Sequence, residues 1–257
     1  MTAVERLIKT AEAELGYLEK ASNAQLDDKT ANAGKNNWTK YARDLDGIGN
    51  IYNGKKNGFD WCDVFVDWCF IQTFGIDLAV KLLNQPLNGL GAGVKWSANY
   101  YQQKGRFFDE NPKPGDQIFF GSGSSWWHTG IVVEVSGGKV HTIEGNTTTA
   151  SGVIPNGGGV VKKSYSLTYR NIKGYGRPDY SIVSGETAKP KPTTAVKKEE
   201  KDMTYYKTIN DVPAAYRDTV KKAIMKGVLK GTGNGVLDIS EDLCRMLVIL
   251  DRLGLLK

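Results

Sequence analysis

The chain has 257 residues, room for one substantial domain and one small one, and its 34 Lys and Arg exceed its 28 Asp and Glu by six. Three cysteines are too few for a disulfide framework, and no stretch approaches the roughly 20 apolar residues that a membrane-spanning helix needs. The surplus charge is thinly spread, with 20 basic against 18 acidic residues in 1–181, 5 against 4 in 182–202 and 9 against 6 in 203–257. Such a balance suits an anionic polymer without selecting one.

The N-terminus is charged and amphipathic, with no long apolar run of the kind a signal peptide carries. Thr2 and Glu5 have capping-box spacing, and Val4, Leu7, Ile8, Ala11 and Leu15 form one apolar stripe, which predicts a helix over 3–19. A polar stretch rich in Asn, Asp, Gly and Lys predicts a long loop over 22–60. Asn57, Gly58 and Asp60 oppose helix continuation, whereas Val64, Phe65, Trp68 and Cys69 recur at helical spacing, so a helix is expected from about Cys62 to Phe74. Another is expected over 92–103. From Pro114 the period changes to two, and Gln117–Phe120, Gly130–Val135, Lys139–Ile143, Val160–Ser166 and Ile172–Gly176 are predicted strands separated by Gly-rich turns.

Residues 182–202 hold almost no large apolar groups and two X-Pro steps, the composition of a solvated linker. Beyond it, Asp211-Val-Pro213 opens a predicted helix carrying Val220 and Ile224 and stopped by Gly227. Ser240 caps a second helix carrying Leu243, Leu247 and Leu250, with Gly254 past its end. The chain therefore divides into 1–181, a linker over 182–202 and a small helical module over 203–257.

Cys62 is the candidate nucleophile. A thiol in the first turn of a buried helix faces unpaired N–H groups and the positive end of the helix dipole, both of which favour thiolate. Cys69, about two turns further along, and Cys244, in the last apolar helix, are expected to pack. A cysteine nucleophile needs a base, and the chain has two histidines. Ser136-Gly-Gly138 suits a three-residue hairpin loop with Gly138 left-handed, so Val135 is expected to face Lys139. In that register His128 faces Asn146 and lies diagonal to Glu144, while His141 points to the opposite face. Glu144 can then orient the imidazole and leave its other nitrogen for sulfur. Asn146 is placed to polarise a carbonyl or support the histidine. Trp38, Tyr41, Trp61, Trp126 and Trp127 are expected along the groove, with Trp61, Trp126 and Trp127 as candidate substrate contacts.

Trp61-Cys-Asp-Val-Phe-Val-Asp-Trp-Cys69, Lys113-Pro-Gly-Asp-Gln-Ile-Phe-Phe120, His128-Thr-Gly-Ile-Val132 and Ile143-Glu-Gly-Asn146 resemble, in order, the motifs of CHAP domains, cysteine, histidine-dependent amidohydrolases/peptidases. The resemblance implies an α+β papain-like fold, with N-terminal helices on an antiparallel sheet. It also implies hydrolysis of an amide bond of bacterial peptidoglycan, by an amidase or endopeptidase of the kind found in phage and prophage lysins. Cys62 would be nucleophile, His128 base, Glu144 orienter and Asn146 an accessory polar group. A phage lysin without a signal peptide would depend on a holin-type partner for release. No nucleic acid and no required cofactor are implied, although some members bind calcium through an Asp-x-Asp segment. Here Asp44-Leu-Asp46 would supply it, farther upstream of the cysteine than that pattern has it. The C-terminal module is similar to half of a surface-layer-homology repeat, which implies wall attachment with Arg245 as an anion contact; dimerisation is the alternative. Two rival functions remain: a non-catalytic wall-binding protein, and a cysteine amidase of another substrate.

Overall fold

The computed structural model describes residues 1–183, 205–229, 237, 239–252 and 254. The chain forms two compact units, Met1–Lys189 and Pro190–Lys257. The first is α+β. Helix α1 (Ala3–Glu12) begins with the expected capping box between Thr2 and Glu5 and buries Leu7 and Ala11. It stops seven residues short of the predicted end because the backbone turns left-handed at Gly16 (φ 85°). Tyr17 and Glu19 then bond to the edge of the sheet, Val160 N donating to Tyr17 O and Glu19 N to Gly158 O. Sheet pairing outweighs local helical preference there.

A helix lies inside the predicted 22–60 loop. In α2 (Lys40–Ile48), Thr39 Oγ accepts from Ala42 N at 3.1 Å, and Tyr41, Ala42 and Leu45 are buried. Helix α3 (Cys62–Phe74) follows, starting and ending where the sequence places it, and every residue from Cys62 to Ile71 is buried. It is a central helix covered on all sides. It packs against α1, α2 and two strands of the sheet. Helix α4 (Ile76–Leu82), not anticipated, follows the left-handed Gly75, and α5 (Val94–Gln103) completes the layer.

The strands are β1 (Phe107–Phe108), β2 (Gln117–Ser122), β3 (Ser125–Ser136), β4 (Lys139–Thr147), β5 (Gly159–Ser166) and β6 (Ile172–Gly176). All pairs are antiparallel, in the order β1-β6-β2-β3-β4-β5. One face carries Phe119, Ile131 and Ile143 into the core shared with the helices. Ile118, Phe120, Val132, Val140 and Tyr165 form a second core on the other face.

The β3–β4 hairpin corrects the expected register. Its loop has two residues, Gly137 and Gly138, both at positive φ (56° and 71°), and Ser136 rather than Val135 faces Lys139. Two left-handed residues match the strand twist better than one. A bulge between Val132 and Glu134 then shifts the pairing, so that Ile131 faces Ile143, as the predicted register requires;. Two departures cancel before the strand reaches His128.

In the second unit, β7 (Tyr205–Tyr206) precedes α6 (Ala214–Met225) and pairs antiparallel with β8 (Ile239–Ser240), which leads directly into α7 (Glu241–Arg252). Val212, Val220, Ala223, Cys244 and Leu247 share a core with Tyr206 and Ile239. Ser240 Oγ accepts from Leu243 N at 3.3 Å, the cap expected for the last helix. Ile224 is 39% exposed, outside the apolar stripe expected of it. Of the expected linker, Ile182 and Val183 belong to a 3-10 turn that buries Val183; residues 184–202 lie outside the described residues.

Candidate active site

Cys62 is the first residue of α3, and no side chain caps that helix. Cys62 is 5% exposed, and the backbone N–H groups of Asp63 and Thr129 act on its thiol. Burial pushes the thiol well above its usual range, the Asp63 and Asp60 carboxylates push further, and the two N–H groups pull back. The thiolate preference expected of a helix terminus is therefore outweighed in this state, because desolvation penalises an unpaired anion more than two N–H dipoles compensate. A thiolate here needs a cation formed beside it.

His128 precedes Thr129 on β3 and is fully buried, as is Glu144 on β4. His128 Nε2 lies 2.9 Å from Glu144 Oε2. The same carboxyl accepts from Thr142 Oγ at 2.6 Å and Tyr165 Oη at 3.1 Å. With three partners around it the carboxyl is the acceptor, so Nε2 carries hydrogen and Nδ1 is left for a second proton. Nδ1 makes no hydrogen bond among the described residues. The Cys62–His128 bond is thus unmade in this structure. His128 and Glu144 share the sheet face of Phe120 and Tyr165, while the next residues, Thr129 and Gly145, turn toward α3.

Two glycines make this approach possible. A Cβ on Gly130 would lie 2.5 Å from Glu144 Cγ, so its absence lets Glu144 reach diagonally to His128. A Cβ on Gly145 would lie 2.6 Å from Phe65 Cβ, so α3 sits directly on the strand. Neither Gly130 nor Tyr165 stands out in the sequence.

Other candidates sit elsewhere. His141 is on the hairpin, half-buried, 3.3 Å from Ser136 Oγ. Asn146 has φ 57°, and its side chain accepts from Gly158 N at 3.1 Å and donates to Asn37 Oδ1 at 3.4 Å, tying the end of β4 to two loops. Trp61 is not a surface for substrate: it is fully buried, donates to Glu19 at 2.9 Å, and packs with Tyr17 and the equally buried Tyr41. Its position beside the nucleophile suggested exposure, but the ring supplies core. Trp126 is half-buried, edge-on to Phe107 and Phe119, with Lys173 Nζ 4.4 Å from its ring; Trp127 and Trp38 are half-buried.

Asp44 and Asp46 lie on α2, not on a loop, and positions two apart point to nearly opposite sides of a helix;. Asp44 accepts from Arg43 and from Trp68 Nε1, and Asp46 from the backbone of Lys56 and Asn57. Their oxygens do not converge as a shared calcium cage requires.

A buried polar network under Cys62 escaped sequence reasoning. Asp63 accepts from Ser97 Oγ at 2.6 Å and Gln117 Nε2 at 2.9 Å, and Gln117 also reaches Thr129 Oγ1 at 3.1 Å. One turn on, Asp67 accepts from Tyr52 and Gln85. Burial pushes Asp63 up to about 6 and Asp67 well above the usual carboxylate range. The sequence offered one signal, two acidic residues in an otherwise apolar helix.

The CHAP domain family model matches residues 54–146. The span opens upstream of Cys62, contains His128 and Glu144 and closes on Asn146, and it supports a CHAP-domain protein. No curated protein matches the chain. Among solved structures, the chain is similar to "The crystal structure of Ly7917" at 12% identity, with a TM-score of 0.36. That likeness covers 70% of this chain and 63% of the other, so the chain spans less than two thirds of that structure's length.

Proposed function

We propose that this chain is a cysteine-dependent hydrolase of bacterial peptidoglycan, acting on an amide bond as an N-acetylmuramoyl-L-alanine amidase or an endopeptidase. The observation that carries the reading is the His128–Glu144 bond, which leaves Nδ1 without a partner one residue from Thr129, whose backbone N–H lowers the pKa of the Cys62 thiol. The CHAP match supports the peptidoglycan amidase/peptidase class.

In the proposed cycle the Cys62 thiol gives its proton to His128 Nδ1, and Glu144 stabilises the resulting imidazolium. Sulfur attacks the carbonyl carbon, the C–N bond breaks, and the leaving amine takes the proton from Nδ1. Water, deprotonated by the same nitrogen, then hydrolyses the thioester. The step requires the His128 ring to turn toward Cys62, because here its side chain shares the sheet face of Phe120 and Tyr165 while α3 packs on the other face.

Lysis from inside an infected cell, with release by a holin-type partner, is the setting we propose, on the resemblance of the motifs around Cys62 and His128 to those of phage lysins. No helix among the described residues is long and apolar enough to cross a membrane. The second unit is proposed to attach to an anionic wall polymer, with Arg245 exposed on α7 beside Glu241. The test is turbidity loss of purified walls with fragments identified by mass spectrometry: Cys62→Ala should abolish lysis while wall binding persists. Full lysis by Cys62→Ala would end the covalent mechanism.

A further inference from the structure

A cleft of about 350 Å³ opens beside the nucleophile's helix, lined by Lys55, Lys56, Phe59, Asp60, Leu90 and Trp96 among others. Asp60 is two residues before Cys62, a separation that spans at most about 7 Å of backbone. Its apolar walls face solvent: Phe59 is 64% exposed, Trp96 43% and Leu90 42%. Clustered exposed apolar groups mark a binding surface more often than scattered ones do.

The far wall is held from within. Gln85 donates to the buried Asp67, and a Cβ at Gly91 would lie 2.2 Å from Gln85 Nε2, so the chain at Gly91 rests directly on that amide. The cleft is therefore preformed. Its charge is asymmetric, with two lysines against the single carboxylate of Asp60. Lys56 Nζ donates to Asn53 at 2.9 Å, whereas the Lys55 ammonium makes no hydrogen bond or ion pair among the described residues. Gly93 gives α5 no side-chain cap where its first turn meets the cleft;.

Resting on the hydrolase reading above, we propose that this cleft is a substrate subsite that receives a free carboxylate of the wall peptide, with the adjoining apolar part of that residue held between Phe59 and Trp96. The lysines select the charge and the rings select the apolar surface. The subsite sets which residue of the peptide lies next to the scissile bond.

Soluble peptidoglycan stem peptides with a free carboxylate, and the same peptides as carboxamides, test this. For the carboxylate peptide, the double variant Lys55→Gln/Lys56→Gln and the single variant Trp96→Ala should each raise KM about tenfold, as expected for loss of one charge-assisted hydrogen bond or one aromatic contact, with kcat less affected. The carboxamide peptide should be poorer for the parent enzyme, and the lysine variant should cost it little more. Equal losses on both peptides, or an unchanged KM, would overturn the subsite. Cys62-independent turnover would instead sink the hydrolase reading. Titration of the Cys62→Ala protein with the carboxylate peptide, followed by isothermal calorimetry, decides the subsite even then: affinity unchanged by Lys55→Gln/Lys56→Gln refutes it.

Discussion

Gly130→Ala should disarm the site without touching any group that reacts. The added Cβ would stand 2.5 Å from Glu144 Cγ and 3.0 Å from Ile143 O, and the latter is backbone that cannot step aside cheaply. Glu144 must therefore retreat by about 1 Å to reach ordinary contact, which opens the 2.9 Å bond to His128 beyond hydrogen-bonding range;. A hydrogen bond to a charged group contributes roughly 1.5–3 kcal/mol, so kcat/KM should fall about 10- to 150-fold at about 1.4 kcal/mol per decade. Overpacking should also cost about 1–3 kcal/mol of stability, so rates are normalised to the folded fraction by circular dichroism. Wall turbidity measured in a double-mutant cycle with Glu144→Ala is the decisive assay. If Gly130→Ala acts through Glu144, it should add little to the Glu144→Ala background. Fully additive losses, or undiminished activity in the single variant, would refute the reasoning.

Asp63 makes stability depend on pH. Its native carboxyl titrates near 6 against about 3.9 in an unfolded chain, so the native state binds the proton more tightly;. Stability from this group is therefore greatest below about pH 4, declines as pH rises to about 6 and is flat beyond, a span worth about 3 kcal/mol. Asp63→Asn should remove that slope from urea unfolding followed by tryptophan fluorescence, which reports the first unit because all six tryptophans lie there; an unchanged slope would place the titration elsewhere. Cys69→Ala, a fully buried core truncation, should cost about 1 kcal/mol and lower Tm by about 2–4 °C with activity retained;. Deleting residues 190–257 should leave fluorescence-detected unfolding and cleavage of soluble fragments intact while slowing lysis of whole cells, because a tethered second site is lost. Equal lysis with and without the second unit would remove its targeting role.

The elements nearest the chemistry were legible because their signals are local. The Cys62 helix follows from Asn57, Gly58 and Asp60 ahead of a helical apolar pattern, and β2 to β6 follow from a period of two between glycine turns. Strand alternation and a hairpin were enough to set His128 beside Glu144 and leave His141 apart from it. Where local signals compete, the sequence was silent or misleading. Gly16 hands the chain to the sheet edge before α1 reaches its predicted end, and the polar neighbours of α2 hide a helix whose buried face is just Tyr41, Ala42 and Leu45. The two-glycine loop and the Val133 bulge each move the register by one, and only their cancellation preserved the predicted pairing. Exposure lay beyond sequence altogether: Trp61 and Trp126 differ in burial because of what α2 and β1 place against them. So did the state of the thiol, since helix position argues for thiolate while burial, a property of the packed whole, argues against it. Residue type and spacing determined which groups are available for chemistry. Tertiary packing decided which of them meet, because water is excluded and carboxylates are desolvated only when distant segments close over one another.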